Sequence, residues 1–209
     1  MQPAKRYLVV LLVIYLSVWC LLAVAPHDRH DWLLENLLVV IALPTLLWLH
    51  RRYPLSTLSW SLIFVFGLLH AVGAHYTYAE VPYEQWLQSL TGTTLREQLG
   101  LERNHFDRLV HFLFGVLMFH PLRSLTRQMA GVGQVTSYLY PIAILATISH
   151  LYELLEWGAA EVFGGHLGMA YLGTQGDVWD AQKDMGLAFV GTLIAALCEW
   201  LFCHRRQRL

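Results

Sequence analysis

Apolar residues run along this chain in six long blocks, each closed by a short polar stretch. The blocks cover about Tyr7 to Ala25, Trp32 to Leu49, Leu55 to His75, His105 to Leu122, Ser137 to Trp157 and Met185 to Phe202. At 1.5 Å per residue, blocks of this length cross a hydrocarbon core of about 30 Å as helices. The pattern predicts an all-α polytopic bundle of about six spans, the second kinked at Pro44. The longest polar connection, about Tyr76 to Arg103, lies between spans three and four. Within it Trp86 to Leu90 and Leu95 to Leu101 read as short interfacial helices.

Composition agrees. Of 209 residues, 56% are hydrophobic and 14% charged, with mean hydropathy +0.44. Soluble domains carry about 25% charge. The net charge of −1 gives no footprint for nucleic acid, so the bilayer is the expected partner. Cys20, Cys198 and Cys203 lie in apolar runs without CxxC spacing and suggest neither a disulfide framework nor a thiolate metal site. The first apolar run ends in Ala23-Val24-Ala25, like a signal-peptide cleavage site. Its length and Pro26 favour a retained span instead.

With both termini in the cytoplasm, nine of the fourteen basic residues fall inside: Lys5, Arg6, Arg51, Arg52, Arg123, Arg127, Arg205, Arg206 and Arg208. Arg123 and Arg127 are expected in a loop after span four. One integral membrane domain results. Residues 1–53 are read as a two-helix scaffold hairpin, and 54–209 as a four-helix core.

This topology sends the ionisable residues of spans three to six to one end. Span three ends at His70 and His75, and span four begins with His105, Asp107, Arg108 and His111. Span five emerges with His150, Glu153 and Glu156, and span six enters with Asp180 and Asp184. His111 lies about 9 Å below His105, and the others fall in a similar outer layer. Asp107 and His111 share a helix face, as do Glu153 with Glu156 and Asp180 with Asp184. The expectation is one polar pocket open to the periplasm, with few charges in the cytoplasmic halves.

Asp107, His111, Glu153, Glu156, Asp180 and Asp184 are the candidates for acid–base chemistry, because closely spaced carboxylates raise one another's pKa. Imidazole and carboxylate together suit zinc, manganese or iron, and carboxylates alone magnesium or calcium. A divalent metal would have His70, His111, Glu153 and Asp184 as candidate ligands. Arg108 can neutralise the acids or hold an anionic group. In the glycine-rich loop Gly173 to Asp180, Thr174, Gln175 and Asp177 can cradle a ligand or cap the bundle. The plainer reading is that the carboxylates pair with Arg108 and histidines and only fix helix register. Glu35 and Asn36 read as scaffold, with Glu35 a possible addition to the pocket. Trp48, Trp60 and Trp200 read as interfacial belts.

Four stretches, HAVGAHYTYAEVPY (70–83), NHFDRLVHFLFG (104–115), SHLYELLEW (149–157) and GTQGDVWDAQKDMG (173–186), resemble the signature blocks of the YjdF family of bacterial inner membrane proteins. That resemblance extends over the whole chain and implies location and fold, not an activity. A looser likeness, over spans three to six, is to the VanZ-like membrane proteins. It rests on Asp107-Arg108-Leu109-Val110-His111-Phe112, Glu156, Asp180, Asp184 and Gly191. Asp184 stands where that pattern has Asn, and the first glycine is displaced to Gly186. It implies an envelope connection and one shared outer polar site.

Two functional classes follow. One is an envelope enzyme or binding protein acting on a lipid-linked or phosphorylated ligand, with a divalent metal as possible cofactor. The other is a small proton- or ion-coupled transporter. A structural protein whose cluster locks the bundle is the plainest alternative.

Overall fold

The computed structural model describes residues 3–165, 168 and 172–206, and among these the chain forms eight helices and no strand. They are α1 (Pro3–Leu22), α2 (Arg29–Arg52), α3 (Thr57–His75), α4 (Tyr83–Thr91), α5 (Leu95–Leu99), α6 (Phe106–Ala130), α7 (Gln134–Phe163) and α8 (Asp180–Arg206). Six of them, all but α4 and α5, are long and apolar enough to cross a membrane. Part of the glycine-rich stretch after α7 (166, 167 and 169–171, including His166) and Arg208 lie outside the described residues.

Local chemistry sets the starts and stops. The Asp28 carboxylate accepts from the backbone N–H groups of His30 and Asp31 and opens α2. Thr94 and Glu97 form a reciprocal capping box on α5. Gly131 ends α6 with φ +58°, a conformation that favours glycine.

Three boundaries differ most from the apolar pattern. α6 runs to Ala130 and α7 to Phe163, and α8 begins at Asp180 rather than Met185. Arg127 therefore lies in a helix and not in a loop, and so does Arg123. The Arg123 guanidinium donates to Glu199 of α8 at 2.5 Å and sits 3.9 Å from the ring centroid of Tyr138 on α7. A paired and stacked arginine does not have to leave the helix to find water.

α6 and α8 are the central pair. They cross with backbones nearly touching: a Cβ on Gly115 would stand 2.1 Å from the Ala188 carbonyl oxygen, and one on Gly191 2.2 Å from that of Phe112. Small residues are what allow such close approach within a bilayer. α3 and α7 flank α6, α7 also packs on α8, and α1 lies along α3. α2 touches α3 more lightly. It meets α1 at Trp19, whose indole N–H donates to Asn36 and whose ring lies 5.6 Å from that of Trp32. Large apolar side chains such as Val13, Leu21, Leu155 and Phe202 are exposed, as a lipid-facing surface requires.

The carboxyl ends of α1 and α3 lie together, since the His75 ring bonds the Leu22 carbonyl oxygen at 2.7 Å and His75 O accepts from His27 N. The same end carries the starts of α2, α6 and α8 and the close of α7, as the contacts below show. Trp48 is exposed, whereas Trp60 corrects the belt reading: it is buried, and its indole N–H donates to His50 Nδ1 at 3.3 Å.

Candidate functional site

The polar groups at this end form two tiers. The outer tier ties the segment before α6 to the start of α8. Arg103 donates to both Asp180 carboxylate oxygens, at 2.5 and 3.2 Å, and to the backbone carbonyls of Gly173 and Thr174. Arg108 bonds Asp177 at 2.5 Å and Asp180 at 2.9 Å, and Lys183 bonds Asp177 at 2.5 Å. Gln175 closes the loop by exchanging two hydrogen bonds with the backbone of Asn104, at 2.9 and 3.0 Å. Asn104 in turn caps α6 through Phe106 N and holds the Val81 carbonyl. The loop from Gly173 to Asp180 thus caps the bundle. Hydrogen bonds from Lys183 and from the Trp179 backbone N–H, with Arg108, hold the Asp177 carboxyl well below the usual carboxylate range.

The inner tier is an acid cluster around one imidazole. His111 Nε2 stands 3.5 Å from Asp107 Oδ1 and 3.6 Å from Glu153 Oε1. One ligand atom from each of Asp107, His111 and Asp184 lies within 4.8 Å of the others. Asp184 is 2% exposed, and its Oδ1, like Glu153 Oε1, is buried without a hydrogen-bond partner. Glu156, one turn beyond Glu153, is buried as well. Among the described residues, the ion pairs of Arg103, Arg108 and Lys183 are with Asp177 and Asp180. The inner acids face an imidazole and no such cation, so they need protons or a bound cation to stay buried. Ligand atoms about 2.1 Å from a tetrahedral ion stand about 3.4 Å apart, close to the His111 separations.

Around this tier the structure places Glu35, Tyr152, His70 and Tyr78. Glu35 of α2 is buried, and its two oxygens accept from Tyr152 OH at 3.0 and 3.1 Å. The Tyr152 ring meets the His111 ring edge-on, with centroids 5.8 Å apart. α2 therefore helps hold the imidazole, and of the two readings of Glu35 the structure favours the one that adds it to the pocket wall. His70 stands apart from the three-ligand group, and its Nδ1 pairs with Tyr78 OH at 2.5 Å. Burial pushes the Tyr78 phenol well above its usual pKa, so it stays protonated beside the imidazole.

Two cavities meet at Asp107. A smaller one of about 320 Å³ is lined by Glu153, Glu156, Asp180 and Asp184 together with apolar residues such as Leu154 and Trp157. A mostly apolar one of about 530 Å³ lies between α1–α3 and α6–α7, with His70, Tyr78, His111, Ser149 and Tyr152 on its wall.

A second polar group occupies the opposite half, where few charges were expected. Glu199 of α8 pairs with Arg123 and lies 3.3 Å from His120 Nδ1. Phe119, Leu145 and Ala196 pack between the two polar ends. His120 and Arg123 lie one turn apart on α6 and meet Glu199 across the α6–α8 contact; only Arg123 lies beyond its apolar block.

A family model described as "Predicted membrane protein (DUF2238)" matches residues 7–206. The chain is 38% identical over 185 residues to the inner membrane protein YjdF of Escherichia coli (strain K12), covering 88% of this chain and 84% of that protein. No solved structure matches it. The chain is a multi-pass membrane protein and belongs to the DUF2238 family.

Proposed function

We propose that the inner tier is a divalent-cation site at which this protein binds or processes the anionic head of a lipid-linked or phosphorylated ligand. The supporting observation is the three-ligand group of Asp107, His111 and Asp184, with the unpartnered oxygens of Asp184 and Glu153 beside it. Glu153 is the natural fourth ligand. Glu156 and Asp180 remain available for acid–base work and positioning. A bound cation supplies Lewis-acid polarisation of an anionic oxygen. Arg108 acts here by neutralising Asp177 and Asp180, the first of the two roles its sequence position allowed.

The name of the Escherichia coli relative supports an inner membrane location. The bias of basic residues supports cytoplasmic termini and a periplasmic site. The count keeps its direction with Arg123 in a helix, because Arg123 still lies with Glu199 in the half opposite the site. A coupled carrier is favoured by Arg123, Glu199 and His120 in the other half, and opposed by the apolar packing between the two groups.

Purified protein should retain up to one equivalent of zinc, manganese, iron or magnesium by elemental analysis, and Asp107→Ala or His111→Ala should lose it together with complementation of a deletion strain. Absence of metal, no thermal shift on adding these ions, and full complementation by both variants would overturn the reading in favour of a structural cluster.

A further inference from the structure

The apolar cavity raises a separate question of occupancy. Its volume, about 530 Å³, falls within the range of ligand sites. Its walls come from five of the six long helices, and along α6 it reaches from Asp107 to Leu125. That is 18 residues, on the order of 27 Å, nearly the whole hydrocarbon core of about 30 Å. One leaflet supplies only about half of that depth. α2, the lightly packed helix, forms one side through Leu38, Ala42 and Thr45.

Polarity along it is lopsided. At the α3–α6 end stand His70, Tyr78, Asp107 and His111, and at the other stand Leu8, Trp60 and Leu125. Ser149, 3% exposed, lines the polar part with an Oγ that has no hydrogen-bond partner. Thr45, on the apolar side, is satisfied by the Ile41 carbonyl. A chamber with a long oily shaft and unmet polar groups at one end is complementary to a molecule with one long hydrocarbon chain and a compact polar head. Water would leave the shaft's walls unsolvated by apolar matter, and a headless chain would leave Ser149 unpaired.

We infer that this cavity holds the hydrocarbon chain of a single-chain amphiphile, drawn in from the bilayer past α2, with its head delivered at Asp107 and His111. The inference names the ligand class for the site proposed above. Chain binding itself rests on the shaft and not on the cation, so the two can fail separately.

The test uses full-length protein in detergent with hexadecyl phosphate as probe, and inorganic phosphate and hexadecanol as its separated halves. Ala42→Trp and Ile148→Trp narrow the shaft from opposite walls, at positions exposed enough to tolerate the larger ring. Wild type should bind hexadecyl phosphate at least tenfold more tightly than either half, and both tryptophan variants should lose at least tenfold of that affinity with metal content unchanged. Asp184→Asn should lose the metal and keep hexadecanol binding. Undiminished hexadecyl phosphate binding in both tryptophan variants, or wild-type binding no tighter than inorganic phosphate, overturns the inference. Chain binding without any retained metal leaves it standing and sinks the cation site instead.

Discussion

The sharpest consequence of the packing concerns Gly115 and Gly191. An added Cβ at Gly115 meets the Ala188 carbonyl oxygen at 2.1 Å and Thr192 N at 2.6 Å, and one at Gly191 meets the Phe112 carbonyl oxygen at 2.2 Å. Ordinary contact begins at 3.4 Å, so the helices must separate by 3.4 − 2.1 = 1.3 Å at the first site and 3.4 − 2.2 = 1.2 Å at the second. The obstacles are backbone atoms, and no rotamer change relieves them. Overpacking of this kind costs about 1–3 kcal/mol, and a backbone obstacle puts each alanine at the upper end. The same separation acts on the inner tier, because α6 carries Asp107 and His111 and α8 carries Asp184. Metal ligation tolerates about 0.2 Å. Thermal unfolding in detergent and elemental analysis should both report the change for Gly115→Ala and Gly191→Ala. Gly186→Ala, also on α8 but with nothing within 4 Å, is the control and should match wild type. If all three variants melt together and carry equal metal, the close α6–α8 crossing is wrong.

Two further outcomes follow. Arg103→Ala removes two of the three arginine hydrogen bonds on the buried Asp180 carboxylate and leaves the one from Arg108, so it should cost about 1.5–3 kcal/mol in chemical or thermal unfolding. Adding Asp180→Asn should recover part of that loss, and Arg103→Lys should not restore the two-oxygen contact. Asp177 has a lowered folded pKa, so its contribution is complete above the ordinary carboxylate value of about 4 and disappears as pH falls through the lowered value. Amide protection factors over residues 174–179, with the intrinsic pH dependence of exchange divided out, should therefore hold steady from pH 8 to about 4 and fall below it. Asp177→Asn should remove that acid dependence, and protection that is already lost near pH 6 would contradict the assignment.

The six apolar blocks and the gathering of Asp107, His111, Glu153, Asp180 and Asp184 were legible because hydropathy and one-face spacing act within single helices. What escaped depended on partners far along the chain. Arg123 reads as a loop residue until Glu199, 76 residues later, is beside it. Glu35 reads as scaffold until Tyr152, 117 residues later, reaches its carboxylate. Trp60 has belt composition, yet His50 gives its N–H an inward partner. Arg103 carries no motif at all, and its role emerges only from the fold of the loop that it grips.

The Arg123–Glu199 pair and the glycine crossing act on the same two helices in opposite halves of the bundle. A piston-like slide of α6 along α8 by one turn, about 5.4 Å, would uncouple the first and collide at the second. These helices are pinned twice along their length, so the pair behaves as a rigid keel. Any breathing that admits a guest has to come from the loosely seated α2.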